Sequence, residues 1–259
     1  MSCVAASLGA SECNISHQCI DQFVAAAEPK DDLLLQYASS FPLEQYEIVN
    51  SPSLGSYFIE RNGTDMIKRV IREGWYREGH VFWPLSGYIV PGSVAVDMGG
   101  HIGTHTRTLS CLVGPSGTVH VFEPQLKLFV ELLINMHLND CSNVVFHRAA
   151  LGDHEGSINM NPGCPDNEGG VSVGRGGDPA RLMKLDDLHL ENVSVIKIDV
   201  EGMEMQALEG AADTIRRNRP VMAIEIMDDV EARINTIKAM GYSVTHLGMH
   251  DYLFVPIEQ

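Results

Sequence analysis

Ser93-Val94-Ala95-Val96-Asp97-Met98-Gly99-Gly100-His101-Ile102-Gly103 decides the fold of this chain. Its first half is an apolar run closed by an acid, the pattern of a strand covered on both faces. Its second half places glycines at 99, 100 and 103 and passes into a helical pattern at Thr104. Strand, glycine turn and helix in immediate succession open a parallel α/β unit.

Outward from this stretch the alternation recurs. Gly117–Glu123, Asn143–His147, Ser194–Asp199 and Val221–Ile226 are further strand-like runs, and Tyr242–His246 with Tyr252–Val255 predicts a closing hairpin. Between them lie helical stripes: Phe129, Leu132, Leu133 and Met136; Leu208, Ala211, Ala212 and Ile215, with Pro220 beyond; and Val230, Ile234 and Ile237, stopped by Gly241. The expected fold is α/β, a doubly wound Rossmann-like sheet of seven strands over residues 91–259. Residues 1–90 predict a mainly helical N-terminal cap over the carboxyl edge of that sheet, with a helix near 64–73 and aromatics at Trp75, Tyr76, Phe82 and Trp83. Residues 161–181, with six glycines and three prolines, predict a mobile loop rather than a strand.

Composition narrows the function. The chain has 259 residues, 44% of them hydrophobic, enough for one large core. A net charge of −16 without a basic stripe argues against a nucleic-acid partner. No apolar run approaches the roughly 18 residues of a membrane span, and the N-terminus lacks a basic signal-type region, so the expectation is a cytoplasmic protein without a membrane partner. The six cysteines, at 3, 13, 19, 111, 141 and 164, form no C-x2-C pair; reduced thiols are expected, and zinc is not. A homodimer is left open.

The chemistry lies at strand ends. Glycines after Asp97 let the backbone turn tightly and approach a ligand, or merely make a tight turn. Twenty residues past Gly103, Phe122-Glu123-Pro124 places an acid where it can accept hydrogen bonds from both hydroxyls of an adenosine ribose; the plain alternative is a solvated carboxylate. Glycines at 99, 100 and 103 do not fit the G-x-G-x-x-G spacing that seats a pyrophosphate, and Asp97 would repel one. A sulfonium cofactor tolerates that field, which favours S-adenosylmethionine over NAD. An NAD-linked oxidoreductase and a catalytically silent binding protein on the same fold are the rival readings.

These residues resemble the FkbM family of class I methyltransferases. The resemblance rests on the Asp97–Gly103 turn, Phe122-Glu123-Pro124, Ala150-Leu151-Gly152-Asp153, Lys197-Ile198-Asp199-Val200-Glu201-Gly202-Met203-Glu204 and Glu225 after Pro220. It spans about 90–228, and the family often has Asn where His101 stands. It implies S-adenosylmethionine-dependent methyl transfer, usually to an oxygen of a sugar, polyketide or other small-molecule acceptor, as in natural-product biosynthesis. The expected cofactor-binding residues are Glu78, Asp97, Gly99, Gly100, His101, Gly103, Thr104, Glu123, Pro124, Ala150 and Asp199; the expected catalytic residues are Asp199, Glu201 and His101. A divalent cation on Asp199 and Glu225 is the lesser option. Lys197 alternates with Ile196 and Ile198, and on that pattern it is not expected to reach Asp199. His105, His246 and His250 are further candidate bases, each with an ordinary structural alternative. Trp75, Tyr76 and Glu78 are expected to fold over the methionine end of the cofactor or over the acceptor, with core packing as the alternative for the aromatics.

Overall fold

The computed structural model describes residues 15–25, 27, 32–51, 54–74 and 79–258. The N-terminal part holds α1 (His17–Val24) and α2 (Asp32–Ser39), the hairpin of β1 (Tyr46–Ser51) with β2 (Gly55–Glu60), then α3 (Met66–Glu73) and α4 (Gly79–Ser86). The hairpin departs from the mainly helical expectation. The hairpin is held to the body of the protein by residues distant in sequence, where Asn135 and Asn139 accept from the backbone N–H groups of Phe58 and Ser56. Helix α3 begins where Asp65 Oδ1 accepts from the Ile67 and Lys68 N–H groups at 3.0 Å, and ends at Gly74 with φ +75°.

From residue 94 the chain runs β3 (Val94–Met98), α5 (Thr104–Val113), β4 (Thr118–Phe122), α6 (Leu126–Leu138) and β5 (Val144–His147). A small sheet follows, of β6 (Ala149–Leu151), β7 (Gly156–Asn159) and β8 (Pro179–Met183), in the order β6-β8-β7. The chain then returns as β9 (Val193–Ile198), α7 (Glu204–Glu209), α8 (Ala212–Asn218), β10 (Val221–Glu225), α9 (Val230–Ala239), β11 (Tyr242–Gly248) and β12 (Asp251–Pro256).

The large sheet has seven strands in the order β11-β12-β10-β9-β3-β4-β5. Pairings among β3, β4, β5, β9 and β10 are parallel, and β12 alone runs antiparallel to both its neighbours. Every strand run read from the sequence lies in this sheet, and 242–256 is the closing hairpin. The stripe Phe129, Leu132, Leu133 and Met136 is buried on α6. That helix is apolar nearly all round because α1, α2 and β2 cover the side turned away from the sheet.

Three expectations need correction. The single helix read through Leu208, Ala211, Ala212 and Ile215 is two, broken at Gly210, and Ala212 is exposed. A Cβ on Gly210 would run into the carbonyl oxygen of Gly152, and the Gly210 carbonyl accepts from Asp186 N–H at 2.9 Å, so the chain must leave the helix there. Residues 161–181 are not simply a loop: β8 begins within them, and Met160 bridges Val173 and Cys164 bridges Asn167. Cys111 is disulfide-bonded, so the expectation of reduced thiols fails for it, while Cys19, Cys141 and Cys164 are free; the spacing of cysteines along a sequence does not report which sulfurs the fold brings together. No helix among the described residues is long and apolar enough to cross a membrane.

Candidate active site

The chain crosses from one half of the sheet to the other between β3 and β9, and the carboxyl ends of β3, β4, β9 and β10 share one edge there. Open α/β sheets bind ligands at such a switch point. After β3, the N–H groups of Gly99 and Gly100 both donate to the Phe122 carbonyl, at 3.0 and 2.9 Å. Gly99 has φ +87°, and a Cβ there would collide with the Asp199 carbonyl. Side chains at Gly100 and Gly103 would meet Val121 and Leu132, and Leu132 and Met136. These glycines therefore let β9, β4 and α6 close on the turn; the space they leave is filled by protein rather than ligand, although Gly99 and Gly100 still present backbone to the cleft.

The turn grips Glu123. Its Oε2 accepts from the His101 N–H at 2.9 Å and its Oε1 from the Gln125 N–H at 3.0 Å. The carboxyl is buried, and desolvation pushes its pKa up to about 7 against the pull of those two hydrogen bonds. Each oxygen keeps a second lone pair for a donor in the cleft. His101 reaches this state with φ +50°, and its ring lies against Gly169, where a Cβ would come within 3.0 Å of Cδ2.

Behind the turn lies a chain of charges. Asp97 is fully buried and accepts from Thr106 Oγ1 at 2.6 Å; Lys197 Nζ stands 3.5 Å from its other oxygen. The same ammonium lies 3.2 Å from Asp199 Oδ2 and donates to the Gly99 carbonyl at 2.8 Å. The expectation that Lys197 misses Asp199 is thus overturned: residues 197 and 199 are two apart on an extended chain and project to the same face. Asp97 does not line the cleft; it holds Lys197 in place beneath it.

Asp199, Glu201 and Glu225 bring carboxylate oxygens within 4.8 Å of one another. Burial and then Asp199 and Glu204 push Glu201 up to about 7; burial and then Asp199, Glu201 and Asp251 push Glu225 up to about 8. Such a group takes up a proton or a cation readily, and three oxygens suit a hard divalent ion as well as an organic cation.

Three adjoining hollows open on this edge. One of about 470 Å³ lies between Phe122, Pro124, Ala150 and Met203 on the sheet side and Gly169 and Val171 of the segment after β7. One of about 880 Å³ holds Gly99, Gly100, His101, Thr104, Glu123 and the carboxylate trio, with Met66 and Ile67 of α3 as a wall. The third, about 570 Å³, runs from Asp199 and Glu225 to His80, His105 and Asp251. The expected residues Gly99, Gly100, His101, Thr104, Glu123, Pro124, Ala150, Asp199, Glu201 and Glu225 therefore meet along one trough. Gly103 caps α5 below it. Glu78, Trp75 and Tyr76 lie outside the described residues. His105 stacks on Phe82 with centroids 6.0 Å apart beside the third hollow, while His246 bonds the Met249 carbonyl in its own hairpin. Missed from the sequence were Met66, His80, Gly169 and Asp251, which carry no motif, and the part played by Lys197, whose signal was its i, i+2 spacing from Asp199.

A seven-stranded sheet with one antiparallel strand slotted beside the fifth, a glycine turn after the first strand and an acid after the second define a class I methyltransferase fold. Residues 97–244, more than half of the chain, match the methyltransferase FkbM domain, and the chain belongs to that family. A protein of Beauveria bassiana (strain ARSEF 2860) named Methyltransferase 1 is 30% identical over 148 residues, 47% of this chain and 59% of that protein. Among solved structures, the methyltransferase FkbM of Methylobacillus flagellatus KT is similar with a TM-score of 0.48 at 18% identity, over 91% of this chain and 57% of that one. A methyltransferase from Geobacter sulfurreducens is similar with a TM-score of 0.47 at 8% identity, over 74% of this chain and 86% of that one. The chain thus spans little more than half of the Beauveria and Methylobacillus proteins.

Proposed function

We propose that the chain is an S-adenosylmethionine-dependent methyltransferase that methylates a hydroxyl of a small molecule. The observation that carries this reading is Glu123, fixed by the backbone of the glycine turn and opening on the trough with a free lone pair on each oxygen. The residues fit the cofactor: Glu123 would accept from its ribose hydroxyls, the hollow between Ala150 and Val171 would take the adenine, and the Gly99–Gly100 backbone with Asp199 would hold the methionine end. The bound cofactor supplies a methyl group on a positively charged sulfur.

The protein's own part is placement and proton management. A methyl transfer in line needs the acceptor oxygen held against the methyl, and α3 and the segment after β7 wall the trough on that side. Asp199 and Glu201, which line the trough beside the Gly99–Gly100 backbone, would take up the proton of the acceptor hydroxyl. Lys197, 3.2 Å from Asp199 Oδ2, holds that carboxylate in place at the edge of the trough. Family membership and the glycine spacing both speak against a nicotinamide cofactor. A cytoplasmic setting and a small-molecule acceptor rather than a nucleic acid belong to the same reading, supported by the net charge of −16. Isothermal titration tests it: S-adenosylhomocysteine binds and Glu123→Ala weakens it at least about tenfold, one lost hydrogen bond to a charged group being worth about 1.5–3 kcal/mol. Binding of NAD with no response to S-adenosylhomocysteine refutes it.

A further inference from the structure

Glu168 lies in the segment between β7 and β8, amid glycines, and is nearly buried. Every one of its polar groups is bound. Its Oε2 takes Lys68 Nζ at 2.7 Å and its Oε1 takes Lys127 Nζ at 2.5 Å. Its N–H donates to Asp65 Oδ2 at 3.0 Å, and its carbonyl accepts from Gln125 Nε2 at 3.0 Å. The anchors stand at the start of α3 and the start of α6, two helices that Lys68 itself joins through Glu131. Lys68 is itself fully buried and also bonds the buried Glu131, and Lys127 reaches Glu60 at 2.9 Å.

Burying this many charges is expensive and is often no better for stability than apolar packing; where such clusters persist, a role in fixing one geometry is their best-attested use. Here the geometry fixed is that of the next residues. Gly169 packs on the His101 ring, and Gly169, Val171 and Val173 form the outer wall of the hollow opposite Ala150. We propose that Glu168 is a positioning residue for the cofactor: its fourfold anchorage straps the segment 161–178 across the trough, so that the wall over the adenine end is built before the ligand arrives. The proposal rests on the function proposed above. A wall that must be ordered at binding costs affinity, and a preformed one does not.

Titration with S-adenosylhomocysteine tests it, at a temperature where each variant is folded, together with hydrogen exchange of residues 169–173. Glu168→Ala should weaken binding about tenfold or more and speed exchange in that stretch alone. Lys127→Met removes the arm of the cluster that is about a third exposed (32%), and should weaken binding in the same direction if Glu168→Ala does not fold. Tyr46→Phe is the control: it removes the 2.7 Å bond from the β1 hydroxyl to Glu131 without touching the segment, and should lower the melting temperature but leave affinity unchanged. Affinity within twofold of the unaltered protein in Glu168→Ala, or in Lys127→Met where that variant decides, overturns the proposal, as does an equal loss in Tyr46→Phe. If the unaltered protein binds no S-adenosylhomocysteine, both this proposal and the cofactor assignment fall; if it binds and only the variants are unaffected, the cofactor assignment stands.

Discussion

Replacing Lys197 by Met tests whether the charge chain under the glycine turn is structural or incidental. Lys197 is almost wholly buried, on β9, opposite Asp97 on β3. The substitution keeps the aliphatic stem and removes the ammonium from Asp97 at 3.5 Å, Asp199 at 3.2 Å and the Gly99 carbonyl at 2.8 Å. The Asp199 pair sits at the cleft, with that side chain about a third exposed (34%), and contributes about 0–1 kcal/mol. The Asp97 pair decides the outcome, because Asp97 is fully buried and would keep the bond from Thr106 but lose the cation beside it. Stranding a buried charge costs about 3–5 kcal/mol. For a domain of this size that corresponds to a fall in melting temperature of about 6–20 °C. Urea denaturation of Lys197→Met, Asp97→Asn and the double variant gives the coupling directly. We expect the double variant to be more stable than the sum of the single losses by about 2 kcal/mol or more. Strict additivity, or a loss below about 1 kcal/mol in Lys197→Met, would refute the reasoning.

Other outcomes follow from the same trough. Glu123 has its folded pKa raised from 4.5 to about 7, so its ionisation costs stability as pH rises from 4.5 toward 7, and that cost is absent at lower pH. Hydrogen-bond donors from the ligand favour the ionised form, so S-adenosylhomocysteine should bind about tenfold more weakly at pH 6 than on a plateau above pH 8; a flat profile that Glu123→Gln does not alter counts against the role. Gly99→Ala should cost far more stability than Gly74→Ala, since both glycines have positive φ but only at 99 would the added carbon strike backbone; equal melting temperatures would contradict this. Dialysis against EDTA should leave S-adenosylhomocysteine affinity within twofold, and a loss restored by magnesium would instead assign Asp199, Glu201 and Glu225 to a cation.

The sheet was legible because each of its strands is a short apolar run with its own turn signals, and because β3 with its glycines announces a parallel start. The acid at 123 was legible for the same reason: it ends a strand. What escaped were contacts between residues far apart in sequence. Lys68 sits in a helix rich in charged residues and reads as surface, yet it is buried because Glu131 and Glu168 arrive from 63 and 100 residues away. Glu168 stands between Asn167 and Gly169 in a stretch with no periodicity, and only the fold shows what it binds. The break at Gly210 depends on the carbonyl of Gly152. The β1–β2 hairpin is stitched to α6 by Asn135 and Asn139, which bond Phe58 and Ser56 and look like ordinary polar positions on their helix.

Strand β12 follows β11 in the chain yet lies between β11 and β10 in the sheet. During synthesis, β10 therefore emerges with one edge unpaired and must wait until residues 251–256 are made. Its neighbour on that side is not the next strand to appear but the one after it. Without residues 251–256, Met222–Glu225 would offer open backbone groups to any passing strand. Residues 251–256 thus carry two duties at once: they close the edge that β10 would otherwise expose, and they hold β11 at a place in the sheet it cannot reach through β10 itself.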